Sequence, residues 1–241
     1  MTRSFTLIGP GRAGRSLAGA LADLGWELAA VYGSADDPTD AAADVELCVI
    51  ATPDEVIGPV SASIRPARAV VMHLSGASPV SVIVGHRAAA LHPLVSLADP
   101  ETGSGLLRTA WFAVGGDSLA IELAESLSGR WFRIADEDRV LYHASAAVAA
   151  NHLVALLGQA ERIAAEVGVP LDALLNLARG SLENVAVLGP AAALTGPVSR
   201  GDDLTIERHR AELAARLPDE LAAYDALVDQ ARRLTLSGRA D

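Results

Sequence analysis

The 241 residues predict an α/β fold followed by an all-α second domain. Three observations carry that expectation. Over residues 1–135 short apolar runs alternate with stretches of helical periodicity, the pattern of a parallel sheet with helices on its faces. Residues 6–17 join a strand to a helix through a glycine-rich turn. From about Asp136 the strand signals stop and only helical periodicity remains.

Each element follows from its residues. Phe5, Leu7 and Ile8 read as a first strand, and Leu17, Leu21 and Leu24 recur at helical spacing. Between them Gly9, Gly11 and Gly14 stand in G-x-G-x-x-G order. Strand, glycine turn and helix in that order is the context in which this pattern means dinucleotide binding, so the sheet is expected to be a Rossmann-like doubly wound parallel sheet. Gly9 permits the tight turn, Gly11 lets a pyrophosphate approach the backbone, and Gly14 lets the helix pack on the strand. The helix N-terminus offers free N–H groups and about half a positive charge. Pro10 has no N–H, so the donors start at Gly11 and run through Ala13. Arg12 can add a charge-assisted phosphate contact; as a plain strand–helix turn, the same stretch would leave it in solvent.

Residues 26–32 read as the second strand. Tyr32 and Gly33 stand where NAD-binding domains usually carry an acidic residue, and Ser34, Asp36 and Asp37 follow. Ser34 can bond a ribose or its 2′-phosphate. NAD and NADP both remain open, with a lean to NADP because no carboxylate ends the strand. Residues 38–44 are too short for a crossover helix. Residues 47–51 form a continuous apolar run, as a central parallel strand should, and end in Thr52-Pro53-Asp54. There Asp54 is expected to cap a helix, and Thr52 and Pro53 to border the cofactor. Further strands are read at 69–74, 88–91, 111–114 and 131–134, with a helix at 119–127. Residues 139–167 read as one long helix, apolar almost all round and therefore expected to be buried. Helices at 171–188, 203–217 and 219–236 complete a domain spanning 136–241.

Composition excludes several chemistries. All 19 basic residues are arginine, so no Schiff base and no lysine acid is available. The net charge of −11 argues against nucleic acid. No apolar run looks long enough to cross a membrane, no signal pattern opens the chain, and the single Cys48 cannot form an intrachain disulfide, so a cytoplasmic protein is expected. No metal-ligand spacing occurs.

The candidate catalytic residues sit where strands end. His92 suits proton exchange with a hydroxyl, and Ser75 can orient a substrate oxygen. On the long helix His143 and Asn151 lie about 80° apart at 100° per residue, so they can share a face. Thr195, Arg200 and Asp202 lie in a loop that either holds a substrate carboxylate or caps the next helix. Small residues on the long helix suit a homodimer.

The sequence resembles a bacterial family of NAD(P)-dependent oxidoreductases that join a Rossmann-like domain to a helical C-terminal domain. The resemblance rests on Gly9-Pro10-Gly11-Arg12-Ala13-Gly14, Ala51-Thr52-Pro53-Asp54, Ser75-Gly76 and His92-Pro93-Leu94. In the second half it rests on Leu141-Tyr142-His143-Ala144, the run 151–157, and Ala193-Leu194-Thr195-Gly196-Pro197 with Arg200-Gly201-Asp202. The layout is also similar to the 6-phosphogluconate dehydrogenase-like group. Prephenate dehydrogenases there use a serine after one strand and a His-Pro histidine after another, which implies a substrate-hydroxyl role for His92. Other members rely on a helix lysine; none exists here, and His143 is the possible stand-in. The resemblance implies an NAD- or NADP-dependent enzyme that transfers hydride to or from a small hydroxy- or keto-acid-like substrate held between the domains. A non-catalytic dinucleotide binder and a deazaflavin-dependent reductase are the alternatives.

Overall fold

A computed structural model describes residues 3–237. It divides the chain into two compact units, Met1–Ala150 and Asn151–Asp241. The first unit is built on a seven-stranded sheet: β1 (Ser4–Ile8), β2 (Glu27–Tyr32), β3 (Leu47–Ile50), β4 (Val70–His73), β5 (Arg87–Leu94), β6 (Trp111–Gly116) and β7 (Trp131–Arg133). The strand order is β2-β1-β3-β4-β5-β6-β7. Its helices are α1 (Arg12–Asp23), α2 (Asp54–Ser63), α3 (Pro100–Leu107), α4 (Leu119–Leu127) and α5 (Arg139–Ala147). Two apolar clusters cover the two faces of the sheet. Leu17 and Leu21 of α1 and Leu123 of α4 lie on one face, and Ile57 of α2 lies on the other.

Two strands, β6 and β7, run against the other five. β5 pairs parallel to β4 only over Arg87–Ala90, whereas β6 pairs antiparallel to it from Ala89 to Leu94. His92 therefore lies inside β5, paired with Ala113, and not beyond a strand end. Pro93 is tolerated there because β4 has already stopped, which leaves that edge of β5 unpaired.

Helix α3 carries no apolar periodicity in the sequence. Asp99 caps it through Glu101 N and Thr102 N, and Pro100 opens it. It packs on α1 because both surfaces are small: a Cβ on Gly103 would lie 2.0 Å from Ser16 Oγ.

The second unit contains α6 (Leu153–Ala165), α7 (Leu171–Leu188), α8 (Pro190–Ala193), α9 (Gly196–Arg200), α10 (Asp203–Arg216) and α11 (Leu221–Ser237). The expected single helix over 139–167 is instead α5, a π turn at Val148–His152, and α6. The wider turn breaks the 100° progression, so the shared face computed for His143 and Asn151 does not hold.

Two further expectations about this helical run are corrected. Asp136–Ala165 is 30 residues long with a mean hydropathy of 1.5, so by length and composition it passes as a membrane span. None of its most apolar stretch is buried. Val140, Leu141, Val148 and Val154 are all well over half exposed. A helix that is apolar all round can bury only one side against a single sheet. In the second unit the described apolar residues that are buried are Ala164, Ile206, Leu213 and Val228, while Leu177, Leu182, Val187 and Leu188 stand exposed.

Candidate active site

The glycine turn fits a pyrophosphate. Gly9 has φ +86°, and a Cβ there would lie 2.8 Å from Ala51 O and 3.0 Å from Thr52 N. A Cβ on Gly14 would lie 2.7 Å from Gly9 O. Both glycines are thus required by the close approach of the turn to the end of β3. Gly11 differs, because a Cβ on it would meet no protein atom within 4 Å. It is the N-cap of α1 at φ −75°, with no side chain capping the helix and no acidic residue in the first turn. The first helical N–H groups, those of Arg12, Ala13 and Gly14, precede the internal bonds of the helix and point outward. Arg12 is exposed and makes no ion pair among the described residues. This is the open, positively polarised cradle that an anionic group needs. Pro10 lies half-buried between the glycines.

The end of β2 is less open. Asp36 accepts a hydrogen bond from Gly33 N at 2.7 Å, and Asp37 accepts from both Thr39 N and Thr39 Oγ1. Both carboxylates are engaged in forming the turn. Ser34, which precedes both, is exposed.

From the glycine turn a rim of contacts runs across the sheet. Gly9 abuts Ala51 and Thr52, which together with Pro53 end β3. Asp54 is the first residue of α2 and caps nothing, contrary to expectation. Its Oδ2 instead accepts the Ser75 hydroxyl at 2.7 Å. Ser75 Oγ in turn accepts from Ala77 N and Ser78 N. One proton and two lone pairs exhaust a serine hydroxyl. Ser75 thus shapes the turn after β4 and has no donor left over for a substrate oxygen in this conformation. The turn delivers Gly76, whose missing side chain is essential: a Cβ would lie 2.9 Å from His92 Nε2 and 2.7 Å from His143 Cδ2.

His92, Tyr142 and His143 form an aromatic cluster over Gly76. The His92 ring meets Tyr142 at 5.6 Å and 84°, and His143 at 5.9 Å and 78°. His92 Nδ1 and Tyr142 Oη are 2.7 Å apart, within hydrogen-bond distance. The Phe132 ring of β7 also meets the Tyr142 ring, at 5.7 Å and 73°. Burial pushes the His92 pKa down to about 4, helped by His143 and Arg139 and opposed by Asp54. Burial pushes Tyr142 up to about 12, while Arg139 pulls it down.

Arg139 explains itself only in this setting. It is fully buried, and its three guanidinium nitrogens make no hydrogen bond. Its Nε lies 3.5 Å from Asp136 Oδ1. Gly115 of β6 makes room for it, since a Cβ there would lie 2.7 Å from Nη2. Asp136 is itself held by Val80 N and Ser81 N. It therefore ties the segment after β4 to the start of α5.

Sequence reasoning puts Ser75-Gly76 on the same rim as His92 but does not single out Tyr142, Asp54 or Arg139 as parts of this cluster. The one available signal is Tyr142 beside His143 in a helix that opens with a lone arginine. The remaining candidates fall in the second unit. Asn151 is exposed in the π turn. Thr195 precedes α9 and is exposed. Asp202 caps α10 by accepting from Thr205 N and Thr205 Oγ1, with Arg200 near enough to favour its ionised form. Of the two readings of that loop, capping accounts for the hydrogen bonds seen at Asp202. No group of three or more metal-ligating side chains occurs among the described residues.

The sheet order, the glycine turn and the uncapped first helix define a Rossmann-like protein with a helical C-terminal region. Residues 113–231 match the profile of a domain of unknown function, DUF2520. No curated protein matches the chain. Among solved structures it is similar to protein TM1727 of Thermotoga maritima, with 26% identity, TM-score 0.76, and coverage of 98% of this chain and 99% of that one. It is similar also to the "putative NADP oxidoreductase BF3122" of Bacteroides fragilis, with 20% identity, TM-score 0.77 and coverage of 96% and 98%. A third likeness is to pyrroline carboxylate reductase of Plasmodium falciparum with NADP bound, with 12% identity, TM-score 0.61 and coverage of 97% and 98%.

Proposed function

We propose that the protein is an NAD(P)-dependent oxidoreductase acting on a small carbonyl or hydroxy compound such as a keto or hydroxy acid. The observation that carries this reading is the continuous rim from the open N-terminus of α1 to His92. The N–H groups of Arg12, Ala13 and Gly14 would hold the pyrophosphate over the bare Cα of Gly11, whose own N–H is donated to Gly9 O, with Arg12 reaching the phosphate oxygens. Thr52 and Pro53 border the path to the Gly76–His92–Tyr142 cluster. A nicotinamide bound there supplies hydride transfer. The chain supplies the proton exchange through His92, with His143 at the edge of the same cluster. NADP is favoured over NAD because Asp36 and Asp37 are committed to the turn and Ser34 is exposed beside it. Asn151, Thr195 and Arg200 are the candidates in the helical unit for contact with the substrate.

The fold likeness to reductases supports catalysis over a purely binding role. Titrating the protein with NADPH and with NADH, followed by nicotinamide fluorescence, is expected to give dissociation constants in the micromolar range, as typical for such enzymes. Loss of the reduced-nicotinamide absorbance with a panel of 2-oxo acids and cyclic imines then identifies the substrate class. Absence of affinity for both dinucleotides overturns the reading; binding without any turnover favours the non-catalytic alternative.

We also infer a cytoplasmic homodimer. A unit of 91 residues with so few buried apolar side chains falls short of the core a stable fold needs. A second copy would cover Leu177, Val187 and Leu188. A bilayer is the poorer partner for the long helical run, because its first half carries the buried Arg139 and packs Tyr142 on Phe132 and His92. Sedimentation is expected to give a dimer, and Val187→Asp is expected to shift it toward monomer. A parent protein that sediments as a monomer contradicts this.

A further inference from the structure

A half-buried imidazole packed edge-on against Tyr142 and His143 is a poor stopping place for a proton, and the residues around His92 supply a way past it. Only one of its ring nitrogens has a partner: Nδ1, 2.7 Å from Tyr142 Oη. Nε2 makes no hydrogen bond among the described residues, and unlike Nε2 of His73 it is not sealed from solvent. It looks out over Gly76, the one position where a side chain would have blocked it. The groups facing the ring are His143 and Tyr142 on α5, Arg139 at the start of α5, Asp54 on α2 and His73 on β4. Three of those are imidazole or guanidinium, so a charge on His92 is opposed from several sides. A negative charge on Tyr142 is met by the buried Arg139, whose nitrogens lack hydrogen-bond acceptors.

We propose that Tyr142 donates its hydroxyl proton to His92 Nδ1, so that Nε2 carries the proton given to the substrate and the imidazole is never doubly protonated. The proposal rests on the reductase reading above. In the reducing direction, hydride from a reduced nicotinamide forms a C–H bond at the carbonyl or imine carbon. The C=O or C=N π pair becomes a lone pair on oxygen or nitrogen, and this lone pair takes the Nε2 proton of His92. The Nδ1 lone pair takes the Tyr142 proton. His92 ends neutral as the other tautomer, and the charge rests on the Tyr142 oxygen facing Arg139 until solvent reprotonates it. Tyr142 thus acts through His92 as a proton reservoir, and Arg139 is a positioning residue that favours its ionised form.

The test reads the tautomer directly and does not require a known substrate. In protein with nitrogen-labelled histidine, long-range proton–nitrogen spectra of the six histidines are assigned at His92 by comparison with His92→Gln. The expected result at neutral pH is a neutral ring with its proton on Nε2. In Tyr142→Phe both tautomers become populated, while NADPH affinity stays within twofold of the parent. With any substrate found by the panel, that variant loses at least 100-fold in the rate of the hydride step. Arg139→Gln lets the titration midpoint of His92 rise, and Arg139→Lys restores it. A parent His92 protonated on Nδ1 overturns the proposal even if no variant folds. A tautomer unchanged in Tyr142→Phe overturns it as well. Failure of the reductase reading is separately visible, as absence of NADPH and NADH binding by the parent protein.

Discussion

Gly11→Val is expected to fold like the parent protein and to bind NADPH at least tenfold more weakly, whereas Gly9→Ala is expected to lose stability and binding together. The two glycines belong to one motif, but only one of them is required by the protein itself. At Gly9 the backbone sits at φ +86°, which costs an ordinary residue about 1–2 kcal/mol. Its Cβ would also press on Ala51 O, Ala51 C and Thr52 N, all backbone atoms at 3.0 Å or less. Ala51 N is hydrogen-bonded to Ile8 O, so relief means parting β1 from the end of β3. Overpacking of that kind adds about 1–3 kcal/mol. The sum is a large share of the roughly 5–15 kcal/mol by which a domain is stable.

At Gly11 the dihedrals are ordinary and the space is open, so valine should cost only the preference of an N-cap for glycine, about 1 kcal/mol or less. What valine removes is the close approach of a bound phosphate to the helix N-terminus. Losing about 1.4 kcal/mol of that interaction is a tenfold change. Urea denaturation and fluorescence titration on both variants separate the two effects. Parent-like NADPH affinity in Gly11→Val would show that no phosphate rests on this turn.

The same distinction explains what the sequence shows and what it hides. The glycine turn is legible because its requirements are local: a positive φ, a helix start and a close strand all fall within about twenty residues. Helices α4 and α7 are legible because apolar periodicity runs their whole length. Helix α3 is not, because Pro-Glu-Thr-Gly-Ser-Gly reads as a loop, and it takes the Asp99 cap together with the small groove offered to α1 to make it a helix. The antiparallel direction of β6 leaves no trace in an apolar run, and with it goes the placement of His92 within β5. Tyr142 reads as one more aromatic at helical spacing. Its hydrogen bond spans fifty positions of sequence, and nothing near it announces a partner. Arg139 looks like an exposed residue at a helix start, because a fully buried arginine is rare and becomes evident only where Gly115 has vacated the space.

The fold itself should weaken in mild acid, mostly on account of one residue. His73 at the end of β4 is fully buried. Its Nδ1 accepts from Ser75 N, and its Nε2 has no partner. Burial and then the Arg139 charge push its pKa down to about 4 from an ordinary 6.5. Between those two values the unfolded chain holds a proton that the folded chain refuses. Stability is therefore full above pH 6.5 and is lost as pH falls toward 4, by about 3 kcal/mol for His73. His92, pushed down equally but only half-buried, adds a smaller amount in the same window. Asp136 does not compete there. Burial raises its pKa, but the Val80 and Ser81 N–H groups and Arg139 outweigh burial and hold it below 3.8, so its contribution disappears only at lower pH.

Urea denaturation at pH 7 and at pH 4.5 should accordingly show a parent protein that is several kcal/mol weaker in acid. His73→Asn offers an oxygen where Nδ1 accepted from Ser75 and has nothing to titrate. It should start less stable at pH 7 and keep most of that stability at pH 4.5. An equal acid loss in parent and variant would move the cause away from His73. The position of His73 makes the outcome bear on the site as well. Its ring braces the turn of Ser75 and Gly76 over which His92 must stay open, so protonating it should release that turn at the same pH at which the fold weakens. An acid limit on binding or turnover that coincides with the unfolding midpoint would then report His73, and a limit that persists in His73→Asn would report the His92–Tyr142 pair.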